Sequence, residues 1–317
     1  MADQRVNGDL TGERQRAVLL TDKDLPGIFR TSDSASLLGQ RRQVRATATL
    51  LLLTVVAAIS ATITVKVTAH HIDVGGLLAA LAFLLALGCG LYLRRWRPER
   101  PWYGGRAIAE SARTLAWLYA VGGGLFNVRT CNRPDDELRA KFGLIAERFG
   151  PLALSDPITD DQITDNMRVV RSSSLEERRT AYLAGRIEAQ MDWYKRKAAW
   201  NARQENAWRG AILVLLGIGL AAAVARVAGV LTFNLLGLAA VMVAATVAWL
   251  EAKDHGTLAE AYAVTEIDLS LTKDRALMIT DSEDAWSQFV ERAEHAISRE
   301  HTLWLARGGA RYPLAAR

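Results

Sequence analysis

Hydrophobic residues concentrate in two blocks of this 317-residue chain, and charged residues dominate the segments between and after them. The first block covers residues 46–93. Within it, Ala46–Val65 is a run of apolar and hydroxyl residues, long enough at about 1.5 Å per residue to cross a hydrocarbon core of roughly 30 Å. The polar residues 66–73 separate this run from a second one at Val74–Leu93. The block therefore predicts a hairpin of two membrane-spanning helices.

The second block, residues 210–250, is divided less clearly. It accommodates two helices and a tight turn better than one helix, with spans at about 211–228 and 232–250. Small residues at Ala221, Ala225 and Gly229 have the spacing that is typical of helix–helix contacts in membranes. Together the blocks predict four spans.

Outside the blocks, apolar positions recur with the period of an amphipathic helix. The longest such segment runs from Ser174 to Trp208, and Ser174 with Glu177 predicts a capping box at its start. Glycines at 122–124 predict the end of a helix that begins near residue 101. Further helices are predicted at 134–150, 255–275 and 281–306, and no segment predicts a strand. We therefore predict an all-α membrane protein in which two tandem two-helix hairpins adjoin a cytoplasmic helical bundle.

The same pattern predicts four parts along the chain. They are an N-terminal tail at 1–25, a first module at 26–133, a linker with a short helix at 134–170, and a second module at 171–317. Each module contains one hairpin, so the two modules are parallel repeats of a single plan.

The net charge of +5 reflects basic residues at the ends of the apolar blocks. Arg41, Arg42 and Arg45 precede the first block, and Arg94 and Arg95 follow it. Under the positive-inside rule these ends face the cytoplasm, so we expect a multi-pass protein of the cell membrane with both termini cytoplasmic. The sequence has no recognisable nucleic-acid-binding module, so we do not expect nucleic acid as a partner.

The sequence carries no recognisable catalytic or cofactor-binding motif. The glycines at 122–124 lack the spacing of a phosphate-binding loop, and Glu291 with His295 lacks the spacing of a di-iron site. Cys89 and Cys131 have no paired spacing. We therefore predict no enzymatic activity, no cofactor and no metal site.

One face of the first predicted span is small and weakly polar, and it is a candidate pore lining. Its residues are Thr47, Thr54, Ala58, Ala61 and Thr62. Hydroxyl groups suit a hydrated lumen, but small residues and threonines also mediate packing between membrane helices. Both interpretations stay open at the level of sequence.

Aromatic and charged positions recur in the second module before its hairpin, after it and in the last helix: Tyr182, Arg186, Gln190, Trp193, Tyr194, Lys197, Trp249, Tyr262, Trp286, Glu294, Glu300 and Trp304. In this pattern the module resembles the SLATT domain family, two-transmembrane effector domains associated with nucleotide-sensing bacterial defence systems. The first module looks like a diverged copy, with Arg106, Glu110 and Trp117 after its hairpin. We expect ion pairs in the bundle from Arg106 with Glu110 and from Arg186 with Glu294.

The resemblance implies a membrane effector that forms a pore or ion channel and permeabilises the bacterial membrane in a defence response. One molecule has too few helices to enclose much water, so we expect a homo-oligomer within the lipid bilayer. A nucleotide-signalling or sensor protein is the expected partner. The alternative is a non-conducting membrane scaffold that recruits a cytoplasmic partner through its amphipathic helices.

Overall fold

The computed structural model describes the backbone of residues 20–62, 66–67, 72–153, 161–231, 233–279 and 282–311. It describes the side chains of residues 20–62, 73–147, 161–231, 233–279 and 282–298. Most of the predicted tail, and residues 63–65 of the first predicted span, lie outside the described residues.

The first hairpin consists of α1 (Gly27–Ala61) and α2 (Val74–Trp96). α1 is a single helix whose N-terminal half is polar and whose C-terminal half is apolar. Asp73 caps α2 by accepting a hydrogen bond from the backbone N–H of Gly76 at 3.1 Å. The first span is therefore the continuation of a helix that begins outside the apolar region.

The turn between α1 and α2 contains a short β pair, and the prediction that the chain has no strand is wrong in this detail. β1 (Lys66–Val67) and β2 (Ile72–Asp73) pair antiparallel. A tight connection between antiparallel helices brings its two ends within pairing distance, and periodicity cannot reveal a strand of two residues. The pair leaves the fold class unchanged.

The second hairpin consists of α7 (Ala189–Val227) and α8 (Leu235–Lys253). α7 continues without a break from α6 (Leu175–Tyr182) and a π-helical segment, so that one helix extends over 53 residues from Leu175. The Ser174 capping box opens it as predicted. Asn234 caps α8 by accepting from the N–H of Gly237 at 3.2 Å, so α8 begins a few residues later than the pattern suggested.

Small residues form the contact between α7 and α8, and they lie in a different row from Ala221, Ala225 and Gly229. A Cβ at Gly219 would lie 3.5 Å from the Cβ of Ala239, and Ala222 is buried beside it. Ala221 and Gly229 are exposed. Small residues occupy more than one row along this helix, and a four-residue spacing finds such a row without showing which row faces the neighbour.

Four helices in the described part of the chain are long and apolar enough to cross a membrane. Their outward side chains have no protein neighbours to cover them: Leu77, Leu213 and Leu220 are 64%, 70% and 69% exposed. Such contiguous apolar surface is typical of a membrane interface. The chain is an all-α membrane protein, as predicted.

Outside the apolar region the helices form a bundle around α3 (Glu99–Val121), whose last turns are buried. α3 ends at Gly122, whose φ of 76° favours glycine. The helices that pack on α3 are α1, α4 (Pro134–Ala153), α5 (Asp165–Ser172), α6 and α10 (Glu283–Arg311), whereas α9 (His255–Leu277) packs mainly on α7. α4 extends to Ala153, three residues beyond the helix that the sequence predicted to end at 150.

α1 and α3 cross at two glycines. A Cβ at Gly39 would lie 2.7 Å from the backbone N of Trp102, and one at Gly105 would lie 2.7 Å from the carbonyl oxygen of Ser32. Ser36 Oγ donates to the carbonyl of Trp102 at 2.9 Å. The helix that carries the first span is therefore in direct backbone contact with the centre of the bundle.

Candidate functional site

A buried ion pair fixes α10 against the helix that continues into the third span. Arg186 donates from Nε to Oε1 of Glu294 at 2.9 Å and from Nη2 to Oε2 at 2.8 Å. Each residue is 1% exposed. Two parallel hydrogen bonds fix the orientation of the pair as well as its distance.

Two hydroxyl groups also bind the carboxylate of Glu294. Tyr182 Oη donates to Oε1 at 3.0 Å, and Thr114 Oγ1 donates to Oε2 at 2.8 Å. Thr114 lies on α3, where its hydroxyl is also 3.3 Å from Ser298 Oγ of α10. We call Thr114, Tyr182, Arg186 and Glu294 the junction, because these residues hold three separate parts of the chain together.

Arg186 keeps its charge in spite of its burial. Burial acts to lower the pKa of Arg186, but the charge and hydrogen bonds of Glu294 outweigh it and raise that pKa above its usual value. Burial, reinforced by the charge of Glu294, raises the pKa of Tyr182, which therefore remains a neutral donor. Arg186 Nη1 is buried without a hydrogen-bond partner among the described residues.

Arg186 lies in the π-helical segment, Leu183–Glu188, between α6 and α7. A Cβ at Gly185 in this segment would lie 2.8 Å from Cη2 of Trp117. The wide turn and the glycine together let α3 approach closely. π-helical turns often occur at functional sites, and this one holds the arginine of the junction.

Three aromatic rings cover the junction. The centroids of Trp117 and Tyr182 are 5.9 Å apart and those of Tyr182 and Trp286 are 5.8 Å apart, both in edge-on geometry. Trp286 Nε1 donates to the carbonyl of Val121 at 2.9 Å, which satisfies an end carbonyl of α3. Rings from three helices therefore separate the ion pair from solvent.

A second buried arginine binds the end of α3 and the start of α10. Arg178 is 2% exposed, donates from Nη1 to the carbonyl of Val121 at 3.0 Å and pairs with Glu283. A Cβ at Gly123 would lie 2.7 Å from Cγ1 of Val290 on α10. α10 is thus attached to α3 near its first turn as well as at the junction.

The other expected ion pair, Arg106 with Glu110, spans one turn of α3 at 2.8 Å. Arg106 also approaches Asp33 of α1 at 3.7 Å, and Arg113 contacts Glu110 at 3.2 Å. This cluster is partly exposed and connects α1 to α3. Its ion pairs are therefore not buried as the pair of Arg186 and Glu294 is.

Other positions of the pattern form an aromatic layer between α7 and α9, outside the apolar stretches of the second hairpin. The ring of Tyr262 lies 5.5 Å from those of Trp193 and Tyr194, and Lys197 Nζ lies 5.8 Å from the Trp193 ring. Near the membrane, Trp249 lies 6.3 Å from Trp208. Gln190 Oε1 is buried near this layer without a hydrogen-bond partner among the described residues. Rings in the position of Trp208 and Trp249, at the ends of apolar stretches, are typical of membrane interfaces.

His255 begins α9 just beyond the last apolar residues of α8. It is 2% exposed, and its Nδ1 lies 2.7 Å from Oδ1 of Asn201, whose amide donates to the carbonyl of Lys197 at 2.9 Å. Burial, reinforced by the charge of Lys253, lowers the pKa of His255. The neutral imidazole therefore donates to Asn201 and connects α9 to α7.

The candidate pore residues occupy different environments in the single chain. Thr54 and Thr62 donate their hydroxyls to carbonyls of their own helix at 2.6 Å, and Thr47 lines a groove between α1 and α2. Ala58 is half-buried and Ala61 is exposed. Their role as a pore lining stays a prediction.

Comparison with protein-family models identifies both halves of the chain. Residues 26–179 match the SMODS and SLOG-associating 2TM effector domain 3, and residues 182–304 match the SMODS and SLOG-associating 2TM effector domain 1. The chain belongs to the SLATT family. It contains two tandem SLATT domains, as the resemblance implied. No curated protein and no solved structure matches it.

The division into SLATT domains shows what the junction connects. Thr114 belongs to the first SLATT domain, whereas Tyr182, Arg186 and Glu294 belong to the second. The last helix of the second SLATT domain is therefore packed on the central helix of the first. Within the described residues, no group of three or more His, Cys, Asp or Glu side chains is placed to hold a metal ion.

The sequence pattern found part of this site. The family pattern indicated Tyr182, Arg186 and Glu294 but not Thr114 or Arg178. Outside such a pattern, a hydroxyl or an arginine on an amphipathic helix has no feature that marks its burial. The side chains of Glu300 and Trp304 lie outside the described residues.

Proposed function

We propose that the protein is a non-enzymatic membrane effector that assembles into a pore or ion channel and permeabilises the bacterial membrane in a defence response. The observation that supports this most strongly is the junction, because it is attached to two membrane-spanning helices. On one side, α3 contacts α1 backbone to backbone at Gly105. On the other side, Arg186 lies on the continuous helix Leu175–Val227. A change of packing at the junction therefore moves the first and third spans together.

In this proposal the docked α10 corresponds to the closed state. A buried ion pair with hydrogen-bonded partners is either formed or broken, because an intermediate geometry leaves charges buried and unpaired. A partner that binds undocked α10 more tightly than docked α10 shifts the population towards the open state. α10 is therefore the element through which a signal reaches the membrane.

An oligomer is proposed because the hairpins pack through small side chains. Ala57 on α1, Ala222 on α7 and Ala239 on α8 are all at most 4% exposed, so the helices of one chain approach closely. Thr54 and Thr62 satisfy their hydroxyls within α1. Several copies are then needed to surround a hydrated lumen, and the candidate pore face of α1 becomes available for this on rearrangement.

α9 offers a surface for such assembly. Val264, Ile267 and Leu271 recur along one face of this helix and are 59%, 57% and 49% exposed. They lie beyond the apolar stretch of α8, on a helix that is otherwise rich in charge. We propose that this surface, the α9 stripe, packs against another copy of the chain.

The proposed orientation has both termini and the bundle in the cytoplasm. Basic residues lie at the bundle end of the first hairpin, before α1 becomes apolar and at the last turn of α2. The positive-inside rule places that end in the cytoplasm. The names of the matching domain models mention SMODS and SLOG, so we propose a nucleotide-signalling protein of one of these kinds as the activating partner.

The direct test is expression in bacterial cells with a membrane-potential dye. We expect induction of the Glu294→Gln variant to depolarise the cells more than induction of the unmodified protein at the same membrane level. Glu137→Gln, which removes a carboxylate from an exposed pair with Lys141, is the control and should behave as the unmodified protein. Cells that keep their potential at every membrane level of Glu294→Gln would speak against a pore.

The scaffold alternative makes the opposite prediction for the spans. If the hairpins only anchor the bundle, replacing their apolar stretches by generic Leu/Ala helices leaves activity unchanged. Under the pore proposal the same replacement abolishes depolarisation while the bundle still folds. The aromatic layer and the exposed surface of α9 are the features that favour the scaffold, because both suit a protein partner.

A further inference from the structure

A groove of 680 Å³ lies between α1 and α2 at the basic end of the first hairpin. It runs along both helices towards the membrane and changes in character on the way. Its outer part is lined by the polar residues Gln43, Arg94, Arg97 and Glu99, and its deeper part, which is mainly apolar, by Thr47, Leu50, Gly90 and Leu93. A groove with a polar end and a mainly apolar remainder matches the polar and apolar parts of an amphiphile.

The polar end carries a single net positive charge. Arg94 and Arg97 each contribute a guanidinium group, and Glu99 contributes one carboxylate, 3.7 Å from Arg97 Nε. Guanidinium groups bind phosphate oxygens with charge-assisted hydrogen bonds. One phosphodiester matches this balance, whereas a zwitterionic headgroup leaves the positive charge unneutralised.

Gln43 gives a second, independent indication of a ligand. Its Oε1 atom is buried and has no hydrogen-bond partner among the described residues. A buried acceptor without a donor is unfavourable, and native structures satisfy nearly all such groups. The acceptor therefore calls for a hydroxyl or amine donor within the groove.

We propose that this groove binds one anionic phospholipid of the phosphatidylglycerol class. Arg94 and Arg97 bind the phosphodiester, a headgroup hydroxyl donates to Gln43 Oε1, and an acyl chain lies along Gly90 and Leu93. Because the corner from α2 to α3 contributes to the groove, the lipid stabilises the position of α3 relative to the membrane. The site does not depend on whether the protein conducts ions.

Native mass spectrometry of the full-length protein in mixed micelles tests the charge requirement. We expect retention of phosphatidylglycerol over phosphatidylcholine, and affinity for phosphatidylglycerol reduced about tenfold by Arg94→Gln, equivalent to about 1.4 kcal/mol. Arg95→Gln is the matched control, because Arg95 is also exposed on the last turn of α2 but does not line the groove. Equal losses from both substitutions, or equal retention of the two lipids, would overturn the proposal.

A glycine pair tests the apolar part. A Cβ at Gly90 or at Gly88 meets nothing within 4 Å, so a side chain can begin at either position without a clash with the backbone. Only Gly90 lines the groove. We expect Gly90→Leu to lose bound phosphatidylglycerol and Gly88→Leu to retain it, both with the melting temperature of the lipid-free protein unchanged. Unaltered binding by Gly90→Leu would show that the lipid does not occupy this groove.

Discussion

At the residue scale, the junction depends on charges that have been removed from water. Desolvating a carboxylate and a guanidinium costs several kcal/mol each, and the loss is offset by their mutual attraction and by further hydrogen bonds. Here Tyr182 and Thr114 supply those bonds to Glu294. Removing one charge leaves the other buried and uncompensated, whereas removing both leaves no charge to compensate.

This asymmetry is measurable in a double-mutant cycle. We expect Arg186→Met and Glu294→Leu each to lower the free energy of unfolding by about 3–5 kcal/mol, and the double substitution to cost much less than their sum. Denaturant unfolding in detergent measures all of these. The exposed pair Glu137 and Lys141, 3.5 Å apart, is the control, with an expected coupling of about 0.3–0.5 kcal/mol. Additive effects at Arg186 and Glu294 would show that the pair is not coupled.

The pKa of His255 predicts a pH dependence of stability. Folding lowers this pKa, so the unfolded chain binds a proton more readily than the folded chain. The contribution of His255 is complete above its unfolded pKa of about 6.5 and is lost as the pH falls through the lower, folded value. We expect the melting temperature to fall more between about pH 7.5 and pH 5.5 in the unmodified protein than in His255→Gln. Parallel pH profiles would contradict this role.

The sequence revealed residues of this site only where a family pattern marked them. Arg186 and Glu294 were expected to form an ion pair, and the structure contains that pair. The hydrogen bond from Thr114 joins positions 180 residues apart and depends on how α10 crosses α3, which the periodicity of either helix does not specify. The contact between Asn201 and His255 was missed for the same reason.

At the element scale, the α1–α3 crossing determines how the first span is connected to the bundle. Backbones approach this closely only where a side chain is absent. Gly105 is such a position, because an added Cβ would meet backbone atoms of Ser32 and Ser36 that cannot move independently. Gly143 on α4 is the opposite case, since an added Cβ there meets nothing within 4 Å.

Two alanine substitutions separate these cases. We expect Gly105→Ala to destabilise the protein by about 1–3 kcal/mol, because the helices must separate. Gly143→Ala should stabilise it by about 1 kcal/mol, because alanine favours an exposed helix. Thermal unfolding of both variants in the same detergent provides the measurement. A stabilising effect of Gly105→Ala would mean that α1 and α3 lie further apart at the crossing than they do in the structure.

The helices were predicted from the sequence more completely than the contacts between them. Apolar length gave the four spans, and the Ser174 capping box gave the start of α6. The π-helical segment was missed, because a π-helical turn leaves the amino-acid composition of the helix unchanged. The row of α7 that contacts α8 was not predicted, because several rows there carry small residues and only the approach of α8 selects Gly219.

At the scale of the whole molecule, the second SLATT domain places its last helix on the first. This arrangement couples the two hairpins through α3 and not through the membrane alone. It also leaves α9 with one apolar face uncovered. In the proposed function, the packing of the last helix on α3 transmits a signal, and the exposed apolar face of α9 supports assembly.

Assembly through the α9 stripe is tested by adding a charge to it. We expect Ile267→Glu to shift the detergent-solubilised protein from oligomer to single chain, because burying an unpaired carboxylate at an interface is unfavourable. Asp268→Lys, on the exposed edge beside the stripe, should leave the oligomer intact. Mass photometry distinguishes the species. An oligomer that survives Ile267→Glu would place the contact elsewhere on the surface.

If undocking of α10 opens an ion path, a reversible cross-link across the junction should close that path. Thr114 and Ser298 have hydroxyl oxygens 3.3 Å apart, so cysteines at these two positions lie close enough to form a disulfide. The cross-link is introduced into the Glu294→Gln variant, with Cys89 and Cys131 replaced by serine, and ion flux is measured in liposomes.

We expect no flux while the disulfide is formed and rapid flux after a reductant is added. The same chain without the two new cysteines should conduct under both conditions. If liposomes that contain the inserted, reduced protein still carry no ions, or if flux is equal before and after reduction, undocking of α10 does not open an ion path.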